Sequence, residues 1–147
     1  MGVANILDHI AVAVKDLEGS LAQWTRSLGL KPGEIEEVAG QKVRLCKLQI
    51  SHGPAIELIS PIELDSPVAR FIKKRGEGIH HFCFEVPDIE EALEVFKNNG
   101  ARLIHEKPVL GAEGSRVAFI HPQSFNGVLI ELKQKTSSVA EVPAPSE

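Results

Sequence analysis

The sequence predicts an α+β fold of two βαβββ modules whose strands form a curved, mostly antiparallel sheet. Three observations carry that expectation. The first is an internal repeat, in which GIHHFCFEV (Gly78 to Val86) answers ILDHIAVAV (Ile6 to Val14). A shift of 72 residues superimposes His9 on His81, Val14 on Val86, Asp16 on Asp88 and Glu18 on Glu90. The second is that each of these short apolar runs ends at a polar turn and is followed by apolar residues at helical spacing. The third is a pair of alternating runs joined by a turn at the end of each half, as a hairpin would be.

In the first half, Ile6 to Val14 reads as a strand, since Ile, Val and Ala dominate it. Asp16 can cap the helix that follows, and Leu17, Leu21, Trp24 and Leu28 fall on one face before the stop at Gly29. A polar connection around Lys31 to Gly40 leads to Val43 to Ile50, which alternates apolar residues with Arg44, Lys47 and Gln49. Ser51-His52-Gly53-Pro54 is a turn, and Ala55 to Ile59 returns as the hairpin partner with one acid, Glu57. Between the halves, Ser66-Pro67 opens a short helix that Gly76 to Gly78 should end.

The second half repeats the plan, with a strand over Ile79 to Val86 and a helix from about Asp88 in which Ile89, Ala92, Leu93 and Phe96 share a face. Arg116 to Ile120 and Val128 to Leu132 form the closing hairpin, so Glu131 in GVLIELKQ answers Glu57 in AIELISP at an offset of 74. The expected organisation is one domain over residues 1–135, with modules at about 5–62 and 77–134 and a helical linker at 65–76. Residues 136–147, rich in Ser, Pro and Glu, read as a disordered tail.

With 147 residues, 43% hydrophobic and 24% charged, the chain can bury a real core. A formal charge of −4 without a basic patch argues against a nucleic-acid partner. No apolar run approaches the roughly 20 residues of a membrane span, and no signal-peptide pattern opens the chain, so a soluble cytoplasmic protein is expected. Cys46 and Cys83 lie in strand-like runs without CxxC spacing and read as buried thiols in a reducing compartment.

The chemistry-bearing residues repeat with the fold. Each half supplies a histidine near the start of its first strand and a carboxylate in its last, His9 with Glu57 and His81 with Glu131. Two imidazoles and two carboxylates suit a divalent first-row metal with positions left open for substrate. Alignment on the repeat selects His81 over its neighbour His80, which faces the other side of the strand and either packs on a helix, supports the ligand or touches substrate. His52 and His105 are expected at the surface. His121, in IHPQSFNG, reads as a substrate-binding or ligand-supporting group, or as a turn stabiliser. Lys107, Arg116 and Lys133 are cations available to phosphates at a rim, and GAEG (Gly111 to Gly114) is a turn or a closing loop.

DHIAVAV, GIHHFCFEV, ELISP, LDSPVARFI and KPVLGAEGSRVAFIHPQSFNGVLIEL together resemble the methylmalonyl-CoA epimerases of the vicinal oxygen chelate superfamily, which includes glyoxalase I. The likeness runs from about Ile6 to Gln134. It implies a glyoxalase-like sheet around a metal-binding cup, with His9, Glu57, His81 and Glu131 as ligands. Co²⁺ is the foremost ion implied, with Mn²⁺, Ni²⁺, Zn²⁺ or Mg²⁺ admissible. The activity implied is interconversion of (2R)- and (2S)-methylmalonyl-CoA, through proton removal to an enolate that the metal stabilises, as a step of propionate metabolism. Glu57 and Glu131 then serve as proton-transfer groups, with His121, Arg116, Lys107 and His80 as substrate contacts in a homodimer. Some epimerases have Gln at the Glu57 position, where this chain has the acid found in glyoxalase I. Some also carry an acid in the strand matching Val43 to Leu48, where this chain reads VRLCKL. The rivals are glyoxalase I itself and a metal-free small-molecule-binding protein of the same fold.

Overall fold

The computed structural model describes residue 4 and residues 6–135. The expected tail at 136–147 lies outside the described residues. The described residues divide into two compact units, residues 7–82 and residues 83–135 with 4 and 6. Both cuts fall inside strands, between residues 6 and 7 and between residues 82 and 83.

In the first unit, β1 (Ile6–Ala13) leads into α1 (Leu17–Leu28), whose N-terminus is capped by Asp16 accepting the Gly19 N–H at 3.2 Å. Gly29 ends the helix at φ 72°, a left-handed conformation that glycine adopts without a Cβ penalty. The connection read as irregular holds two short strands, β2 (Lys31–Pro32) and β3 (Glu36–Val38), which pair with β4 (Val43–Gln49). They are too short for periodicity to reveal, and their partner strand defines them. Strand β5 (Ala55–Pro61) forms the expected hairpin with β4 and also pairs in parallel with β1. The sheet is therefore mixed. Helix α2 (Pro67–Arg75) starts at Ser66, whose hydroxyl accepts the Ala69 N–H at 3.0 Å, and β6 (Gly78–Glu85) completes the order β2-β4-β5-β1-β6.

Alternation along these strands sorts side chains onto two faces. Cys46, Leu48 and Leu58 cluster with Val14 and with Leu17 of α1, while Leu21 and Trp24 pack against them. Val12 and Leu58 are register partners on this helix-covered face. His9, Ala11, Ala13 and Glu57 take the other face, where Ala11 and Glu57 are partners.

In the second unit β6 continues into α3 (Ile89–Asn98), capped by Asp88 accepting the Glu91 N–H at 3.1 Å. Then follow β7 (Val109–Leu110), β8 (Arg116–Ile120) and β9 (Leu129–Gln134), in the order β6-β9-β8-β7. Strand β9 starts one residue later and ends two later than sequence periodicity suggested. Lys133 causes the shift, because a charged residue looks like a strand end until its partner Val117 is known. Ile89, Ala92 and Leu93 of α3 are buried.

The two caps, Asp16 and Asp88, sit 72 residues apart, so the repeat extends to the helix starts. Asp16→Ala and Asp88→Ala are each expected to lower the unfolding free energy by about 1 kcal/mol. Urea denaturation checks this, and unchanged midpoints in both variants would contradict it. Neither Cys46 nor Cys83 forms a disulfide, and both are buried. Burial pushes the Cys46 thiol pKa up, while its S–H reaches the Gly33 carbonyl at 3.3 Å. Among the described residues no helix is long and apolar enough to cross a membrane.

Candidate metal centre

The parallel pairing of β1 with β5 brings the first two predicted ligands together. His9 lies two residues before Ala11 on the same face, and Ala11 is the register partner of Glu57. With the small side chains of Ala11 and Ala55 as their β1–β5 register partners, the imidazole and the carboxylate meet, His9 Nε2 lying 3.3 Å from Glu57 Oε1. Both residues are more than nine-tenths buried. His81 on β6 is equally buried, and its ring stands edge-on to that of His9, with centroids 5.5 Å apart and planes at 72°. Three of the four predicted ligands therefore share one place within the first unit.

The donor set fits a divalent ion. Two adjacent donors on one octahedral ion, with bonds of about 2.1 Å, lie about 3.0 Å apart. The separation of His9 Nε2 and Glu57 Oε1 is close to that. Burying a carboxylate beside imidazoles is costly unless a cation or proton compensates it.

Glu131, the fourth predicted ligand, is buried on β9 in the second unit. It faces the same side as its register partner Phe119. Lys133 shares that face. Its side chain is only 4% exposed and its ammonium lies 3.8 Å from the Glu113 carboxylate, so it is no rim cation. The reason is the continuation of β9 through Lys133, beyond the expected strand end, and the ion pair with the GAEG segment. That segment is a 3-10 turn closed by the Ser115 N–H donating to the Ala112 carbonyl at 3.0 Å. Gly111 is required there, because a Cβ would stand 2.6 Å from Val117 Cγ1.

Three of the four predicted substrate contacts, Arg116, His121 and His80, have structural partners. Arg116 pairs with Glu90 of α3, Nη1 reaching Oε1 at 3.2 Å, which lowers the Glu90 pKa and raises that of Arg116. His121 Nδ1 accepts the Gln123 N–H at 2.9 Å and caps the 3-10 turn Pro122–Phe125, the turn-stabilising role foreseen as its alternative. Lys107 is exposed. His80 packs edge-on against Phe71 of α2 with centroids 4.8 Å apart, and its Nδ1 lies 2.9 Å from His81 Nδ1.

Of the two histidines expected at the surface, His52 is exposed and His105 is not. His105 is half-buried and its Nδ1 accepts the Phe119 N–H at 3.0 Å. Burial pushes its pKa down, while the Glu131 charge pulls it up. The missed feature is Asp8, whose Oδ2 lies 2.8 Å from His9 Nδ1 and 4.0 Å from Lys47 Nζ. Its signal was available, since Asp8 and His80 are also 72 residues apart.

Comparison with known proteins shows the family. Residues 8–119 match the Glyoxalase/Bleomycin resistance protein/Dioxygenase superfamily. The chain is 40% identical over 130 residues to the ethylmalonyl-CoA/methylmalonyl-CoA epimerase of Cereibacter sphaeroides, covering 87% of this chain and 96% of that protein. The crystal structure of methylmalonyl-CoA epimerase from Mycobacterium tuberculosis is 31% identical with a TM-score of 0.90, covering 95% of this chain and 94% of that one. A variant of the Streptomyces coelicolor methylmalonyl-CoA epimerase, in complex with 2-nitronate-propionyl-CoA, is 30% identical with a TM-score of 0.87, covering 91% and 96%. The chain belongs to the methylmalonyl-CoA epimerase family within that superfamily and has its glyoxalase-like α+β fold.

Proposed function

We propose that this chain is a metal-dependent isomerase that interconverts (2R)- and (2S)-methylmalonyl-CoA. The observation that carries the site is the buried trio His9, Glu57 and His81. The family relationship supports the acyl-CoA substrate.

The reaction removes a proton from the carbon between a thioester and a carboxylate, and returns one to the opposite face. When the C–H bond breaks, its electron pair moves onto the thioester oxygen. A bound divalent ion supplies Lewis-acid polarisation of that oxygen, and His9, Glu57, His81 and Glu131 are the residues that would hold it, Co²⁺ being the ion we propose. Glu57 and Glu131, buried in the closing strands of the two halves, are the proposed groups that take and return the proton. No acid stands on β4, where Lys47 is the register partner of Glu57. The carboxylate that some relatives carry on this strand therefore has no counterpart here. Arg116, Lys107, His121 and His80 remain the proposed substrate contacts. A single domain over 1–135, a homodimer and a cytoplasmic location complete the reading.

The test is turnover of (2R)-methylmalonyl-CoA, followed as stereochemical inversion with loss of the α-proton to solvent. Inversion is expected, together with no turnover of the methylglyoxal–glutathione hemithioacetal. The opposite pair of results would make the chain a glyoxalase I, from which the acid at Glu57 does not distinguish it. Binding of an acyl-CoA with neither reaction and no bound metal would make it a carrier.

A further inference from the structure

We propose that Asp8 and His80 are positioning residues that hold His9 and His81 in the tautomer that ligates through Nε2, an inference that rests on reading those histidines as ligands. The two occupy equivalent places in the repeat, each immediately before a candidate ligand and 72 residues apart. Each engages the Nδ1 atom of the histidine after it, at 2.8 Å for Asp8 and 2.9 Å for His80. Side chains of adjacent strand residues leave opposite faces, so such a neighbour contact is no generic property of a strand.

The chemistry follows from the donor inventory. An ionised carboxylate only accepts hydrogen bonds, so opposite Asp8 the His9 Nδ1 carries the hydrogen and Nε2 carries the lone pair. That Nε2 is the atom 3.3 Å from Glu57 Oε1. At His81 the partner is another imidazole, where one nitrogen must donate and the other accept. The ring of His80 is held by Phe71, with planes at 73°. In the proposed state His81 Nδ1–H donates to His80 Nδ1, and His81 Nε2 is the ligating atom. Different side chains thereby perform one task in the two halves. Lys47 Nζ lies 4.0 Å from the Asp8 carboxylate and helps hold it in place. Partners of this kind orient metal-bound histidines and strengthen them as ligands.

The test uses the full chain and has two arms. Long-range ¹H–¹⁵N NMR of the metal-free protein reads the tautomers directly. His9 and His81 are both expected in the Nδ1–H form. Asp8→Ala should turn His9 into a mixture and leave His81 unchanged, and His80→Phe, which keeps a ring against Phe71, should do the reverse. Competition titration with Co²⁺ forms the second arm. Each variant should bind the ion about 10- to 100-fold more weakly. Asp8→Asn, which keeps an oxygen acceptor, should lose less than Asp8→Ala, and it decides the question if the alanine variant does not fold. Wild-type His9 or His81 found in the Nε2–H form would overturn the proposal. So would Co²⁺ affinities within twofold of wild type in folded Asp8→Ala and His80→Phe. A protein with the expected tautomers that fails to invert methylmalonyl-CoA counts against the proposed function and leaves this inference standing.

Discussion

Glu131→Gln is expected to slow exchange of the α-proton of methylmalonyl-CoA by about 10²- to 10⁴-fold, the range that a positioned general base contributes. Glutamine keeps the size of the side chain and an oxygen that can still ligate, while removing the group that accepts a proton. A metal site that survives in the variant therefore separates proton transfer from ligation. Glu57→Gln makes the complementary test. Because an inverting enzyme needs a base on each face of the substrate, each variant should lose exchange mainly from one stereoisomer. The measurement is deuterium uptake at the α-carbon, starting from each stereoisomer separately. Loss in Glu131→Gln with none in Glu57→Gln would assign Glu57 to ligation alone. Unchanged exchange from both stereoisomers in both variants would end the two-glutamate mechanism.

Removing divalent metal with EDTA is expected to abolish inversion and to lower stability together. The trio His9, Glu57 and His81 is buried, and an ion bound only by the folded chain adds RT ln(1 + [L]/Kd) to the unfolding free energy. At Co²⁺ a hundredfold above Kd the gain is about 2.7 kcal/mol, or about 5–10 °C in Tm for a chain of this size. Titrating Co²⁺ into the EDTA-treated protein should restore both properties along one curve. Activity that persists after chelation, with an unchanged Tm, would remove the metal from the mechanism. A shift in Tm without recovery of activity would point to a structural ion.

Much of this was legible in the chain itself. Helices α1, α2 and α3 begin at Asp16, Ser66 and Asp88, because a side-chain oxygen must satisfy the first amides of a helix, and that requirement is written locally. The β4–β5 and β8–β9 hairpins were equally readable, since alternation and a turn define them. Strands β2, β3 and β7 were not. At two or three residues each, they exist only through pairing with a longer neighbour. Lys133 was misjudged for a related reason, because a lysine in sequence reads as solvated and only its partners Val117 and Glu113 show otherwise.

By itself the sequence determined the duplication, the order of the longer elements and the identity of His9, Glu57, His81 and Glu131 as a matched set, because residue type and spacing repeat without any knowledge of contacts. Tertiary structure alone decided how the first three meet. The β1–β5 pairing joins residues about 46 positions apart, in parallel and in a register that sets Ala11 against Glu57. A parallel pair has no turn between its strands to announce it, and a slip of one residue would turn Glu57 away from His9 to the other face. Tertiary structure also gave Asp8 and His80 their place. Each is an ordinary neighbour in the chain, and only the geometry of the side chains brings it to the Nδ1 of the histidine that follows.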